Sequence, residues 1–551
     1  MLIVNERWER ILEREARGHL EAWLPDVLKS SRWFAGKARA IQSVRIVESL
    51  PIPCGSSTVA LLFIRLEYVD GAPDIYAFPV TAALGEQAAQ IQRDLPGTIV
   101  TTLKVRMNDS EQTGVLYDAL WSPDFSKTLL SAIGQGGRFT GETGTLIASS
   151  TQAYGKLISG EAALEPAVMK AEQSNTSVAY GDRLVLKVFR RVENGVNPDL
   201  EIGRILTAIN FPHSPPVAGS IEYVRANGET VTVAILQGFV HNQGDAWKYT
   251  LEAFDRYLVR CRAQPTGRED ELTCNEPLLE MVKKDIPAFA RELIGPYLES
   301  AARIGQRTAE LHVALANVPD NPDFTPEPFS LEYRRSRYES MCRLASQTCS
   351  LLKGRLNNLP SDTEQEARRV VSFEPLIRVR FRDCFELENR ALRIRCHGDY
   401  HLGQVLYTGR DFVISDFEGE PARPLSERRM KHTPIMDVAG MLRSFQYAPY
   451  AVLSRQQSNF LAEGARGRLD PWIRFWYGWV SVAFLKAYLA VAGQASFWPG
   501  SQAEFQVLFD AHLLEKAVYE IGYELNNRPD WVRIPIRGVL EILETTTRKA
   551  I

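Results

Sequence analysis

The chain has 551 residues, of which 45% are apolar and 24% charged, and a formal net charge of −3. These values belong to an ordinary globular protein of about two to four domains. They exclude a basic nucleic-acid binder and a surface built to hold an anionic membrane.

Near the start, Glu6, Arg7, Glu9, Arg10, Glu13 and Arg14 predict a charged amphipathic helix rather than a signal peptide. Residues 59–66 and 75–80 read as strands, and a first subdomain is expected over 1–105. Residues 110–165 read as short polar and Gly-rich turns. The cluster Gly134, Gly136 and Gly137 lacks the Lys-Ser/Thr ending and following helix of a phosphate loop, so it reads as a surface turn. From Ala167 the alternation sharpens. Ser174, Asn175, Thr176 and Ser177 read as a polar turn, and 183–189 as the strand after it. Residues 200–209 have helical apolar spacing, and 231–239 is another strand.

Helices are expected from there to the end. The Pro-rich piece 318–329 reads as a loop inside the helical region. Residues 475–493 are the most apolar stretch, but they contain Lys486 and read as a buried helix, not a membrane span. No internal repeat is visible. Cys54, Cys261, Cys274, Cys342, Cys349, Cys384 and Cys396 form no Cys-x-x-Cys pair, which fits reduced thiols in a cytoplasmic protein.

Residues 396–421 hold the chemistry. Strand-like pieces at 391–396 and 412–415 lead into Asp399 and Asp416, with a turn at 407–411 between them and Gln404 along the way. An acid, an amide and a second acid make an oxygen-rich cage. Mg²⁺ wants such ligands and shares them with substrate phosphates. Kinases use a similar order: a catalytic-loop Asp, an amide, then an Asp before Phe-Gly. Here Glu418 stands where protein kinases have that Gly. His-Gly-Asp alone is common, and an acid at a strand end is often a turn cap. The ordered set of Asp399, Gln404 and Asp416 points to phosphotransfer.

Lys187 is a lone cation in the apolar run 184–189. Such a strand Lys either clamps nucleotide phosphates beside a helix acid, here Glu201, or snorkels from a sheet edge. Ser174 to Ser177 would cap the phosphates with backbone N–H groups and hydroxyls. Gln237, Phe239 and Val240 follow a strand and read as the hinge facing adenine. Lys516, Tyr519 and Tyr523, spaced i, i+3, i+7, share one helix face beside Glu520. That face suits a sugar, or packs into the core. Tyr400 and His401 flank Asp399 and either steer the acceptor or serve the structure. Glu418, Glu420, Arg423, Arg428 and Arg429 read mostly as a salt-bridged loop, and Arg443 as structural.

The runs His-Gly-Asp-Tyr-His-Leu-Gly-Gln-Val-Leu from His397 and Asp-Phe-Glu-Gly-Glu-Pro from Asp416 resemble bacterial maltokinases. So do Arg32-Trp33-Phe34 to Lys37, Asp437 to Ser444, Lys516 to Glu520 and Asn527 to Trp531. These motifs span nearly the whole chain, with only the Arg-Trp-Phe segment distinctive in the first third. The resemblance implies the aminoglycoside-phosphotransferase branch of the kinase-like fold. This is a bilobal α+β architecture: an N-terminal cap subdomain (1–105), an N-lobe with the ATP-binding sheet (106–238) and a mainly helical C-lobe (239–551).

It implies ATP and Mg²⁺, with Asp399 as base, Gln404 and Asp416 on the metal, Lys187 and Glu201 on the nucleotide, and the Lys516–Tyr523 face on the sugar. The implied reaction is ATP plus maltose giving maltose 1-phosphate and ADP. It would feed α-glucan (glycogen) synthesis from trehalose or maltose, with trehalose synthase as a separate partner chain. One rival is a kinase for glucosamine or another monosaccharide. The other is an inactive glycan-binding protein, against which the intact Lys187, Asp399 and Asp416 set argues.

Overall fold

The computed structural model describes residues 2–13, 16–107, 110–159, 164–169, 174–264, 272, 274, 276–386, 391–455 and 463–547. Backbone contacts divide it into two units, Met1–Asn210 with Pro215–His241 and Phe211–Ser214 with Asn242–Ile551.

In the first unit the described residues form two seven-stranded sheets. The first runs, in spatial order, Leu2–Asn5, Ile99–Met107, Ser110–Asp118, Asp74–Leu84, Ser57–Tyr68 and Ile41–Cys54, with Arg191–Val192 pairing on Asp74–Leu84. It continues past 105 because the hairpin of Ile99–Met107 and Ser110–Asp118 pairs along its whole length. Leu20, Leu24 and Leu28 form one stripe on the helix Arg17–Ser30 and join the buried cluster that holds Leu62, Ile64, Phe78 and Val80. The charged N-terminal stretch is not the expected helix. Leu2–Asn5 is a strand, with Leu2 and Val4 buried, and Trp8–Leu12 is a 3₁₀ turn. Period-two burial decided the first segment, which ends before the charged run begins at Glu6. Arg14 lies outside the described residues.

The second sheet is antiparallel: Arg138–Thr140, Gly144–Ser150, Val217–Arg225, Thr230–Gly238, Leu184–Phe189, Asn175–Tyr180 and Pro166–Val168. Residues 110–165 are therefore not mainly turns. They hold the helix Pro123–Gln135 and the strand Gly144–Ser150. Gly136, at φ 70°, ends that helix in the left-handed conformation, where the missing Cβ matters. Asn175, Thr176 and Ser177 are also strand rather than turn, paired with Phe189, Val188 and Lys187. Small polar residues favour turns only when the backbone lacks a ladder partner, and here the ladder supplies one. Ser174 precedes the strand.

Glu48, on Ile41–Cys54, ties the two sheets together. Its carboxylate accepts from the Glu142 and Thr143 N–H groups, the Thr143 hydroxyl and the Tyr223 hydroxyl, at 2.6–2.9 Å. Burial alone would raise its pKa, but these hydrogen bonds hold it below the ordinary value of 4.5. A depressed folded pKa gives stability that is present above the unfolded value and lost as pH falls through the folded one. Glu48→Gln is expected to cost about 1–3 kcal/mol at pH 7. The deficit against the parent should shrink below the ordinary glutamate range. Urea titrations across that range check it, and a pH-independent deficit would contradict the ionised anchor.

In the second unit, Tyr297–Ala316 packs along Glu463–Ala492. Leu331–Arg355, Gln502–Asn527 and Arg533–Thr547 enclose a core of Met341, Leu352, Leu514, Val518, Ile536 and Val539. Leu469–Ala492 is the one segment among the described residues long and apolar enough to cross a membrane, and it is mostly buried. The expected strand at 391–396 shrinks to Leu392–Arg393, with Ile394 bridged to His432. Val405–Tyr407 and Phe412–Ile414 form a two-stranded ribbon.

Candidate active site

In the first unit, Leu184–Phe189 lies between Thr230–Gly238 and Asn175–Tyr180. Lys187 is thus on an inner strand, which removes the sheet-edge alternative. It is 8% exposed, and its Nζ donates to Asp199 Oδ2 at 3.0 Å. A buried ammonium needs such a partner, since desolvation without pairing costs several kcal/mol. Asp199 is 1% exposed, on the first turn of Pro198–Ala208. The Asn197 side chain caps that helix by accepting the Asp199 N–H at 2.9 Å. The helix dipole favours an acid there. The sequence pointed to Glu201. The acid that holds Lys187 in this hydrogen bond is Asp199, and Glu201 is half-buried two positions on. Thr176 accepts from Arg190 Nε at 2.9 Å. Gln237 pairs with Val185, and the Phe239 N–H donates to the Arg183 carbonyl where the strand ends before Val240.

In the second unit, the loop His397-Gly398-Asp399 is fixed from below by Asp437, near the start of Ile435–Arg455. Asp437 is 2% exposed. Its carboxylate accepts the His397 and Gly398 N–H groups at 2.8 and 2.9 Å and contacts His312 Nε2 at 3.1 Å. Burial opposes its charge, but these partners hold its pKa below the ordinary range. Gly398 has φ 84°, and a Cβ there would press on Gly419 Cα. His397 Nε2 lies 3.0 Å from the Ser415 carbonyl, which joins this loop to the segment before Asp416.

The ribbon brings the metal candidates together. Its register, Val405 to Ile414, continues as Ser415 N–H donating to the Gln404 carbonyl at 2.9 Å. Gln404 and Asp416 therefore stand at one end of the ribbon. Asp416 has φ 66°, an uncommon backbone for a non-glycine residue that Asp tolerates best. A carboxylate oxygen of Asp416 lies within 4.8 Å of one from Glu418. An all-oxygen set of two acids and an amide fits a hard divalent cation.

Asp399 faces Lys516 and His401. Lys516 Nζ is 3.8 Å from Asp399 Oδ1 and 3.9 Å from Glu420 Oε2. Burial works against the lysine charge, yet the two carboxylates outweigh it and raise its pKa. Burial and the Asp399 charge raise that of Glu420. Burial and the neighbouring Glu420 charge raise the pKa of the Tyr519 hydroxyl, and its ring lies 5.0 Å from Lys516 Nζ. Glu420 was expected in a salt-bridged loop, and instead it joins this group. A cavity of about 60 Å³ lies among Asp399, Glu420, Lys516 and Tyr519.

The His401 Nδ1 accepts the Gly403 N–H at 3.1 Å, leaving Nε2 3.9 Å from Asp399 Oδ2. Withdrawal from water lowers the His401 pKa. The cap therefore assigns a neutral ring with its proton on Nε2. Tyr400 is turned into the core, paired with Thr308 at 2.8 Å, and is structural.

Two buried ion pairs fix the rotation of Gln502–Asn527. Arg337 binds Glu515 at 2.7 Å, and Arg443 binds Glu520 at 2.6 Å. With those acids anchored, Lys516 and Tyr519 face Asp399. Tyr523 is 44% exposed and lies one turn out, its ring centre 6.5 Å from that of Tyr519. Asp437, Asp199 and Glu420 are the residues that sequence reasoning missed. Asp437 had a signal as a lone acid opening an apolar helix. The other two were hidden among neighbouring acids.

A solved glucosamine kinase is similar, with a TM-score of 0.60 at 17% identity, covering 93% of this chain and 96% of that one. A structure of glucosamine kinase in complex with glucosamine, ADP and inorganic phosphate gives 0.58 at 16% identity, covering 94% and 98%. Residues 27–121 match the family model of the maltokinase N-terminal cap domain. The chain has a kinase-like fold with a maltokinase-type cap. Two glucosamine kinases are similar to this kinase-like chain in sequence. That of Streptacidiphilus jiangxiensis is 22% identical over 383 residues, 68% of this chain and 72% of the relative. That of Mycolicibacterium smegmatis is 23% identical over 380 residues, 68% and 79%. The mixed α/β first unit, the helical second unit and the cap agree with the architecture that the sequence implied.

Proposed function

We propose that the chain is an ATP-dependent sugar kinase that converts maltose to maltose 1-phosphate. The similarity to glucosamine kinases in fold and sequence supports sugar phosphotransfer, and the maltokinase-type cap supports the maltokinase branch. One observation favours a neutral acceptor: Lys516 occupies the space between Asp399 and Glu420. An amino sugar would bring its ammonium to those same carboxylates and meet the lysine charge.

In this reading Asp399 orients the attacking hydroxyl and takes its proton, with Lys516 and His401 beside it. Lys187, held by Asp199, binds the nucleotide phosphates. Gln404, Asp416 and Glu418 would hold Mg²⁺, which when bound neutralises charge on the transferring phosphoryl group. Phosphoryl transfer of this kind requires mostly positioning and charge neutralisation, so no covalent enzyme intermediate is needed. Maltose 1-phosphate formed this way would serve α-glucan synthesis, with trehalose synthase as a candidate partner.

The deciding experiment is ADP release over a panel of sugars. Turnover of maltose with little of glucosamine is expected, and the reverse would replace the acceptor while keeping the chemistry. Glucosamine is the one rival the relatives favour. Tyr523→Ala sharpens the test. Its side chain lies at the surface, outside the buried core, so truncation opens no core cavity. Losing a stacking contact and a phenol hydrogen bond, about 1–2 kcal/mol together, should raise the KM for maltose roughly 5- to 30-fold. The KM for ATP should stay unchanged, and an equal rise in both would take Tyr523 out of the sugar site.

A further inference from the structure

Arg190 stands where the chain passes from one sheet of the first unit to the other. Leu184–Phe189, which carries Lys187, belongs to the second sheet, and Arg191–Val192 pairs with Asp74–Leu84 of the first. The Arg190 carbonyl accepts the Ala77 N–H at 2.8 Å. Its side chain is completely buried, at 0% exposure. Nη2 donates to Asp118 Oδ2 at 2.5 Å and Nε donates to Thr176 Oγ1 at 2.9 Å. The guanidinium lies 4.6 Å from the Trp33 ring centre and 5.8 Å from that of Phe78.

These partners fall into two groups. Trp33, Phe78 and Asp118 lie within the matched cap residues 27–121. Thr176 lies on Asn175–Tyr180, where its neighbour Ser177 is the ladder partner of Lys187. Beside the contact is a cavity of about 400 Å³, lined by Trp33, Thr98 and Trp121 of the cap and by Val168, Asn175 and Thr176 of the second sheet. A void of that size forfeits close packing across it. Beside this cavity a two-ended bond from a buried cation joins the cap to the start of the strand, while further along the same strand Val178 and Tyr180 share a core with Leu50, Phe63 and Ala77 of the cap. The planar guanidinium suits that task, because its donors sit in a fixed fork. Buried ion pairs of this type set geometry more than they add stability.

We propose that Arg190 is a positioning residue through which the cap sets the place of Asn175–Tyr180 and, across the ladder, of Lys187. The cap thereby tunes affinity for the nucleotide. The proposal rests on the reading of Lys187 as the nucleotide lysine.

The test uses the full chain with Asp118→Asn and Arg190→Lys. Asp118→Asn keeps an acceptor for the Leu120 N–H, now at 3.1 Å, and removes the charge that anchors Arg190. Arg190→Lys keeps the charge and removes the fork. Amide exchange of residues 175–180, measured without ligand, should speed up about tenfold in both variants. The KM for ATP should rise at least about fivefold, while kcat and the sugar KM stay within about twofold. Unchanged exchange in both variants overturns the tether. Faster exchange with an unchanged KM for ATP overturns its link to the nucleotide, and an equal rise in both KM values marks a merely structural role. A parent protein that releases no ADP with any sugar sinks the kinase reading instead. The exchange measurement still decides the tether in that case.

Discussion

Asp399→Asn is expected to lower kcat by about 10²- to 10⁴-fold, the usual cost of losing a general base, with the melting temperature close to that of the parent. Asparagine keeps the shape but cannot take the proton of an attacking hydroxyl. The loop itself should survive, because its backbone is held by Asp437 through the His397 and Gly398 N–H groups and not by Asp399. Lys516 keeps Glu420 as a partner at 3.9 Å, so no charge is left without one. Nucleotide affinity, measured by calorimetry, should therefore be nearly unchanged. Near-normal turnover in this variant would remove Asp399 from the chemistry. A fall in melting temperature matching the loss of activity would make it a structural acid.

Loss of the second acid should act on a different step. Asp416→Ala is expected to weaken MgATP binding at least about tenfold and to lower activity by 10²-fold or more, as removal of several kcal/mol of metal-borne charge stabilisation implies. The backbone complicates alanine, because Asp416 sits at φ 66°, where Asp and Asn are tolerated and most other residues are strained. Asp416→Asn separates the two effects. It keeps the turn and the shape but supplies a neutral ligand. Both variants should lose Mg²⁺-dependent binding, and only the alanine variant should also lose stability. Parent-like MgATP affinity in Asp416→Asn would rule the residue out as a metal ligand.

Several features of the site were legible in the chain itself. Lys187 stands out because a cation inside an apolar run has to be paired, and it proved to be buried and paired. Asp399, Gln404 and Asp416 are close in sequence, and a short ribbon is enough to bring Gln404 and Asp416 to one end. Local turn and ladder rules carry that far. The i, i+3, i+7 spacing of Lys516, Tyr519 and Tyr523 likewise fixes a shared helix face whatever surrounds it.

Tertiary structure decided what each face meets. Asp199 and Glu201 are two positions apart, about 200° around a helix, and the rotation of Pro198–Ala208 is what sets Asp199 against Lys187. Periodicity cannot report that rotation, because it depends on the partner's packing. Asn175 to Ser177 carry turn-favouring side chains, but ladder partners ten or more positions away made them strand. Glu420 and Asp437 lie near Asp399 in space through contacts 21 and 38 positions along the chain. Arg190 gained its partners only when two sheets met around it. The chain by itself determined which residues are the candidates for the chemistry, since reactive side chains in local patterns survive any folding context. Only the fold decided their partners, because pairing a buried charge depends on distances between segments that sequence spacing does not encode.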